Sequence, residues 1–380
     1  MDPFAEIRPY NDSEVAAVLE RLLADPEFLG ALARFRFKQL SGVLPGLLRR
    51  LVGWQLRRQL KGVASVAAMQ AVIEGYMDRM ISDTTAGFSV SGLDQLDPGQ
   101  AYLFMSNHRD IAMDPAFTNY ALWSNGHNTV RIAIGDNLLT KPYVSDLMRL
   151  NKSFIVRRSV RGPRQILKAY RDLSAYIRHS LFEEQVPIWI AQREGRAKDG
   201  VDRTEPAIIK MLAMSQDKAH ESFSEYIGGL KIVPVTISYE LDPCDAAKAR
   251  ELAAVASSGS YEKAEHEDVE SIAKGIAGNK GQVHVAFGTP LGDDYDNAEA
   301  VAVEIDRQVC ANYALHGTNI YAYRTLHGNE AALPAGAAAA TGSCGEAEFN
   351  RRMQAIPEDQ RPYALAIYAN AVVSQLAAEA

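Results

Sequence analysis

The sequence predicts an α/β fold with a mostly parallel central sheet flanked by helices. After residue 85, short apolar runs of strand length alternate with segments of helical periodicity. Strands that are separated by helices favour parallel pairing, whereas the first 85 residues carry the helical period alone. The predicted strands are FSVSG, AYLFMS, VRIAIG, SFIVRR, PIWIAQ, KIVPVTISY and QVHVAFG.

Helical segments are predicted at both ends of the chain and between the strands. A first helix is expected after the cap residues at 11–14, where VAAVLERLLAD follows. Further N-terminal helices are expected at 28–40, 44–62 and 63–81. The helices expected between strands are Pro142–Leu150, Pro163–His179, Glu205–Met214, Ala246–Ala254, Asp268–Ala277 and Ala298–Tyr313.

These patterns divide the chain into four predicted parts. Residues 1–85 form a helical, membrane-interfacial subdomain, and residues 86–330 form the α/β domain. The small-residue segment AALPAGAAAATGSCG, at 331–345, is expected to be a flexible linker. Residues 346–380 are expected to form C-terminal helices.

Composition predicts a cytoplasmic globular protein. Hydrophobic residues make up 47% of the chain and charged residues 23%, an ordinary mixture for a domain with a core. We expect no spanning helix, because no run of 18 uncharged apolar residues occurs, and no signal peptide at the polar N-terminus. The three cysteines have no metal-ligand spacing and suit a reducing compartment, so we expect no metal site.

A basic segment interrupts a chain whose net charge is −7. No Asp or Glu occurs from Phe28 to Gln70. On a helical wheel for residues 44–63, five basic residues share one half with Leu47, Trp54 and Leu60, and the other half is apolar. This pattern is typical of a helix at an anionic membrane surface, and also of a core-facing helix with a solvated face. Nucleic acid is not expected, because the pI is 5.7 and no groove-reading motif accompanies the cluster. The basic residues of the segment are Arg34, Arg36, Lys38, Arg49, Arg50, Arg57, Arg58 and Lys61.

The stretch SNHRDIAMDPAF, at 106–117, contains the His-Arg-Asp of a protein-kinase catalytic loop. A kinase needs an Asn five residues after that Asp to hold magnesium, and this position is Pro115. The chain also lacks a downstream Asp-Phe-Gly. The kinase interpretation is therefore rejected.

A second interpretation makes His108 a general base. His108 follows a predicted strand, and ligand sites of α/β sheets form at the carboxyl ends of strands. An Asp within about a turn can accept from one ring nitrogen and leave the other to take a proton. Asp114 is favoured for this role, with Asp110 as the alternative. A His with a nearby Asp is by itself more often a structural pair.

Five segments between Tyr102 and Glu240 occur in a characteristic order. They are NH at 107–108 with DP at 114–115, GDNLL at 135–139, FIVRRS at 154–159, EGRAK at 194–198 and IVPVTISYE at 232–240. In this order they resemble the glycerophospholipid acyltransferases, the superfamily that acylates glycerol 3-phosphate and 1-acylglycerol 3-phosphate. The first segment departs from the family's Asn-His-x4-Asp pattern by one extra residue, and the fourth lacks a residue of Glu-Gly-x-Arg.

The resemblance implies a role for each matching residue. His108 would be the catalytic base and Asp114 its orienting partner. Arginine presents several donors in a fixed fork, which suits a phosphate monoester, although successive strand residues point to opposite faces. The implied substrate-binding residues are Asn107, Gly135, Arg157, Arg158, Glu194, Gly195, Arg196 and Lys198.

The resemblance implies an O-acyltransferase of phospholipid biosynthesis. An acyl carrier protein or coenzyme A thioester would supply the fatty acyl group, with no further cofactor, to glycerol 3-phosphate or 1-acylglycerol 3-phosphate. We expect the protein to lie peripherally on the inner face of the cytoplasmic membrane through helix 44–63. The alternatives are acylation of another lyso-lipid, such as a lyso-ornithine lipid, and a non-catalytic lipid-binding protein.

Overall fold

A computed structural model describes residues 2–37, 44–264, 266–340 and 342–379, without the side chains at 338 and 339. Lys38 and the end of the helix expected at 28–40 lie outside these residues. The described strands are β1 (Gly87–Ser91), β2 (Leu103–Ser106), β3 (Arg131–Gly135), β4 (Ser153–Val156), β5 (Ile188–Ala191), β6 (Ile232–Tyr239) and β7 (Gln282–Phe287).

After residue 86, the α-helices of the described residues lie between successive strands, except between β1 and β2, and follow β7. They are α1 (Asp12–Ala24), α2 (Pro26–Arg36), α3 (Pro45–Gln59), α4 (Val66–Thr84), α5 (Met113–Ser124), α6 (Pro142–Leu150), α7 (Pro163–Arg178), α8 (Pro206–Leu212), α9 (Phe223–Leu230), α10 (Asp245–Ser258), α11 (Glu267–Ala277), α12 (Ala298–Ala311), α13 (Gly317–His327), α14 (Glu346–Gln354) and α15 (Arg361–Glu379).

The predicted fold class is confirmed: the chain is α/β, with a mostly parallel sheet. Each of the seven predicted strand segments overlaps a strand, within the residues that the structure describes. The recorded strand pairs are parallel except β6 with β7, which are antiparallel. All eight residues of β6 are buried, as expected for a central strand that is covered on both faces.

The described residues form two compact units, whose boundaries fall within α4, at the start of β3 and within α7. The smaller unit comprises Met1–Tyr76 and Arg131–Asp172, and the larger comprises Met77–Val130 and Leu173–Ala380. This grouping differs from the four parts expected from composition, because β3, β4 and α6 group with the N-terminal helices.

The smaller unit has a core that helices α1 to α4 build with α6. Leu48 and Val52 of α3 are buried in this core beside Leu150, the last residue of α6. In the same unit, β3 pairs in parallel with β4, and Gly135 lies opposite Val156. One face of α3 is therefore used for packing within the unit.

The larger unit contains a sheet with the strand order β1-β7-β6-β2-β5. Ser106, the last residue of β2, is paired with Ala191 of β5 on one side and with Val235 of β6 on the other. The residues that follow β2 therefore leave the sheet from between two neighbouring strands, at their carboxyl ends.

The segment 331–345, expected to be a flexible linker, makes specific contacts in the larger unit. Ser343 Oγ and the Cys344 N–H each donate 2.7 Å hydrogen bonds to the buried carboxylate of Glu240. Leu333 and Ala337 pack against a core cluster that α13, α14 and α15 contribute to, with Phe349 and Tyr368 among its buried residues. Composition alone did not predict these contacts, because their acceptor lies about a hundred residues earlier in the chain; Thr341 lies outside the described residues.

Gly200 holds a turn of the larger unit against α15. Its φ is +79°, and a Cβ at this position would lie 2.2 Å from the carbonyl oxygen of Ile367. The Gly200 carbonyl accepts from Arg109 Nη2 at 3.0 Å, so the turn also contacts the residue after His108. Only glycine fits this backbone without strain.

We predict that Gly200→Ala lowers the free energy of unfolding by more than about 2 kcal/mol, because left-handed strain and a backbone clash add together. Gly259→Ala is the matched control, since Gly259 has a φ of +80° and open space around its Cβ position. Its cost is expected to be about 1 kcal/mol. Denaturant unfolding measures both variants, and equal losses would contradict the contact with Ile367.

Candidate active site

His108 lies in the turn between β2 and α5, at the carboxyl end of β2. Its Nδ1 is 2.8 Å from Oδ2 of Asp114, which lies in the first turn of α5. Asp114 is fully buried, whereas 14% of the His108 side chain is exposed. An ionised carboxylate only accepts, so Nδ1 carries the proton and the Nε2 lone pair is left to act as a base.

Both carboxylate oxygens of Asp114 accept hydrogen bonds from the surrounding protein. Oδ2 also accepts from the backbone N–H groups of Arg109, at 2.6 Å, and Asp110, at 2.9 Å. Oδ1 accepts from the Tyr239 hydroxyl at 2.7 Å. The extra residue between His108 and Asp114 is therefore accommodated, because the turn folds its own N–H groups back onto the carboxylate.

Asp110, the alternative partner for His108, has a different contact. Its Oδ1 accepts from the N–H groups of Ala112, at 3.0 Å, and Met113, at 2.9 Å, where α5 begins. Burial, and secondly the charge of Asp114, raise the pKa of Asp110. The structure thus assigns Asp110 to the start of α5 and Asp114 to the contact with His108.

Asp202 links the two neighbours of His108. It accepts from Asn107 Nδ2 at 3.1 Å, and from Nε and Nη2 of Arg109 at 3.1 and 2.7 Å. Burial disfavours the charge on Arg109, but Asp202 outweighs this effect and raises the pKa of the guanidinium. The main chain on each side of the imidazole is therefore anchored to one carboxylate.

Asn107 was expected to bind substrate, and the structure places its side chain inside the protein. Its side chain is fully buried, and its amide spans the gap to β6. Oδ1 accepts from the Ile237 N–H at 2.8 Å, while Nδ2 donates to the Ile237 carbonyl and to Asp202, each at 3.1 Å. With its donors and acceptor used inside the protein, Asn107 fixes the turn that carries His108.

The EGRAK segment follows β5 and touches the same turn. The Ala197 N–H donates to the His108 carbonyl at 2.7 Å. Gly195 has a φ of +74°, and Glu194 beside it is exposed. The segment therefore closes over the main chain of His108.

Arg196 and Lys198 were expected to complete an anion pocket, and both face carboxylates of the larger unit. Arg196 Nη2 is 3.9 Å from Asp268, and only 8% of the Arg196 side chain is exposed. Lys198 forms an ion pair with Glu251 of α10. These pairs offset both positive charges within the protein, so an anion would compete with existing partners.

Gly135, Arg157 and Arg158 belong to the smaller unit. The Asp136 carboxylate accepts from the N–H groups of Arg158 and Ser159 at 3.0 and 3.1 Å, so the ends of β3 and β4 are joined. A Cβ at Gly135 would lie 3.1 Å from Cδ of Arg158, which shows a close approach of that side chain. Arg157 forms an ion pair with Glu6, and the Arg158 side chain is exposed.

Three residues near His108 were missed as site residues by the sequence analysis. Tyr239 ends β6, Asp202 follows the EGRAK segment, and Trp189 of β5 sets its ring edge-to-face with His108 at 6.0 Å between centroids. Tyr239 was included in the last matching strand but not assigned a role. No residue pattern distinguishes Asp202 or Trp189 from ordinary loop and core residues.

The described residues give two further negative observations. None of the described helices is both long and apolar enough to cross a bilayer. Within the part of the chain that the structure covers, no three His, Cys, Asp or Glu side chains are grouped as they would be to hold a metal ion.

Comparison with known proteins adds a family. Residues 87–238 match the family described as Acyltransferase. No curated protein sequence matches the chain. A solved structure, the 1-acyl-sn-glycerophosphate (LPA) acyltransferase PlsC from Thermotoga maritima, is 14% identical with a TM-score of 0.39, and the match covers 75% of this chain and 95% of that one.

The matched residues carry this assignment, because the identity and TM-score of the PlsC match are too low to add to it. They include His108, Asp114, Asp202 and nearly all of β6. The resemblance found in the five sequence segments is thereby confirmed. Over residues 87–238 the chain therefore contains an acyltransferase domain.

Proposed function

We propose that this acyltransferase moves a fatty acyl group from an acyl carrier protein or coenzyme A thioester to a hydroxyl of glycerol 3-phosphate or 1-acylglycerol 3-phosphate. The observation that carries the proposal is the contact between His108 and the buried carboxylate of Asp114. It leaves one imidazole nitrogen as a base on a partly exposed ring.

The chemistry needs one base and an activated acyl donor. Nε2 of His108 takes the proton from the acceptor hydroxyl as its oxygen attacks the thioester carbonyl carbon. The tetrahedral intermediate then breaks its C–S bond, and the imidazolium returns the proton to the departing thiolate. The products are an ester and a free thiol, and no covalent enzyme intermediate or resident cofactor is required.

Arg157 and Arg158, which follow β4, are the candidates for the acceptor phosphate. The Arg158 side chain is exposed and lies against Gly135, and Arg157 forms an ion pair with Glu6. A guanidinium offers several donors in a fixed plane, which fits the oxygens of a phosphate monoester. Phosphate recognition would restrict the acceptors to phosphorylated ones.

The exposed face of α3 supports a proposal of attachment to an anionic membrane. Leu48 and Val52, from the half of the wheel expected to be apolar, are buried in the core and unavailable to lipid. The outward face instead carries Leu47 and Trp54, which are 62% and 60% exposed. Solvent-exposed leucine and tryptophan are unfavourable in water and favourable at a lipid interface.

Arginines flank the exposed apolar stripe, which consists of Leu44, Leu47, Leu51 and Trp54. The Arg58 guanidinium lies 5.9 Å from the Trp54 ring centroid, and Arg50 is exposed. Each basic residue near an anionic leaflet contributes about 1 kcal/mol to binding. We therefore propose a peripheral position on the inner face of the cytoplasmic membrane, where an acyl product would be delivered to lipid.

The activity test offers labelled acyl thioesters, on carrier protein and on coenzyme A, with glycerol 3-phosphate and 1-acylglycerol 3-phosphate in parallel. We predict that His108→Ala lowers kcat at least about 100-fold, because the general base is removed. Asp114→Asn is expected to lose a similar factor through a wrong tautomer. The product ester is measured by thin-layer chromatography.

The matched control is an exposed pair of the same kind. His220 Nδ1 lies 2.9 Å from Asp217 Oδ2, and His220→Ala and Asp217→Asn should leave turnover unchanged. Folded His108→Ala protein with wild-type turnover would overturn the proposal in favour of a non-catalytic lipid-binding protein. Transfer to non-phosphorylated lyso-lipids alone would replace the proposed acceptors.

The membrane test measures co-sedimentation with vesicles of phosphatidylglycerol and phosphatidylcholine, against phosphatidylcholine alone. We predict that Leu47→Ser combined with Trp54→Ser weakens binding to anionic vesicles about tenfold or more, since two buried apolar side chains are lost. Arg50→Gln combined with Arg58→Gln should weaken it about tenfold and reduce its salt dependence.

The control for the membrane test removes exposed apolar groups elsewhere. Val269 and Val303, which are 60% and 69% exposed, are both changed to Ala, and vesicle binding should not change. Equal loss in this control, or wild-type binding by the α3 variants, would show that α3 is not the lipid-binding surface.

A further inference from the structure

Tyr239 contacts the carboxylate oxygen of Asp114 that His108 does not use. The Tyr239 hydroxyl donates to Oδ1 at 2.7 Å, while the imidazole lies at Oδ2. Both Tyr239 and Asp114 are buried. A buried hydrogen bond to a carboxylate is among the strong ones, because no water competes for it.

The sheet fixes the position of this phenol. Tyr239 is the last residue of β6 and is paired with Val283 of the antiparallel strand β7. Its ring lies 5.9 Å from that of Phe117, which is in α5 with Asp114. Because the ring is fixed, rotation of the Asp114 carboxylate would break the hydrogen bond to the Tyr239 hydroxyl. This bond therefore favours one orientation of the carboxylate.

We propose that Tyr239 is a positioning residue for the reaction, which holds Asp114 in place and sets the basicity of His108 through it. This role rests on the proposed function of His108 as the base. Tyr239 acts at one remove, since its hydroxyl bonds Asp114 and not the imidazole.

The direction of the effect follows from charge. The Tyr239 proton partly neutralises the carboxylate, so less negative charge stabilises an imidazolium at His108. Replacing the hydroxyl by hydrogen leaves Oδ1 without this donor and strengthens the attraction between Asp114 and a protonated ring. His108 should then hold its proton to higher pH, so a smaller fraction of it is free to accept a proton near neutrality.

The phenol remains a donor across the working pH range. Burial, and secondly the charge of Asp114, raise the pKa of Tyr239 well above its usual value. The other charged groups that act here stay in place in each variant: Asp110 in the same turn, Asp242 after β6, Lys248 of α10, which donates to the Arg109 carbonyl at 2.7 Å, and Lys280 before β7. A change between variants therefore reports the one hydroxyl.

The experiment compares full-length wild type, Tyr239→Phe and the control Tyr368→Phe. Tyr368 is also a buried tyrosine that donates to a buried carboxylate, Asp245, at 2.7 Å. The ring signal of His108 is followed by NMR against pH and assigned by its loss in His108→Ala. Initial rates against pH are measured with the thioester and acceptor that the wild type uses.

In Tyr239→Phe we expect the titration midpoint of the His108 ring to move upward by roughly 0.5–1 pH unit, with the acid limb of the rate profile moving equally. On the acid limb kcat should fall about 3- to 10-fold, which is the same shift expressed as a ratio, with KM for both substrates unchanged. Tyr368→Phe should change neither midpoint nor profile. Loss of activity that is equal at every pH, or an unmoved His108 titration, would overturn the proposal.

A second variant covers the case in which Tyr239→Phe does not fold. Genetically encoded 3-fluorotyrosine at position 239 keeps the hydroxyl and makes it a stronger donor, so the His108 midpoint should move downward. An unchanged or raised midpoint there would overturn the proposal. Because the ring titration needs no substrate, a shift in it without any acyl transfer would separate failure of the proposed function from failure of this coupling.

Discussion

The candidate site depends on a single buried carboxylate. Asp114 accepts from an imidazole, two backbone N–H groups and a phenol, and together these bonds define where His108 can lie. A buried charge is stable only when it is this fully hydrogen-bonded. The turn after β2, the start of α5 and the end of β6 all meet at this one group.

The surroundings of the carboxylate show a second level of support. Asp202 accepts from the residues before and after His108, and Arg109 is thereby fixed beneath the turn. Removing one partner of such a buried pair costs about 3–5 kcal/mol, because the other charge is stranded. The positions of the main chain and of the imidazole are thus set by different carboxylates, which separates folding of the turn from tuning of the base.

The sequence predicted much of the framework because its signals are local. Spacing and residue type were enough to predict the strands and the helix Pro142–Leu150. They also predicted the pair of His108 and Asp114. Helix α5 was not predicted, since the polar residues Asp114 and Thr118 lie on its buried face and interrupt the apolar period. The helical wheel of α3 placed its arginines on an exposed face, as the structure has them. It could not tell which leucines face the core and which face outward.

The sequence by itself determined the α/β class, the acyltransferase resemblance and the residues with the chemistry to act as base and orienting acid. Only the tertiary structure decided that Asp114 and not Asp110 contacts the His108 ring. It also showed that the Asn107 side chain hydrogen-bonds the main chain of Ile237, and that the Tyr239 hydroxyl donates to the second oxygen of Asp114. The physical reason is distance along the chain. Tyr239 comes 125 residues after Asp114, and only pairing of β2 with β6 brings such groups within a hydrogen bond of each other.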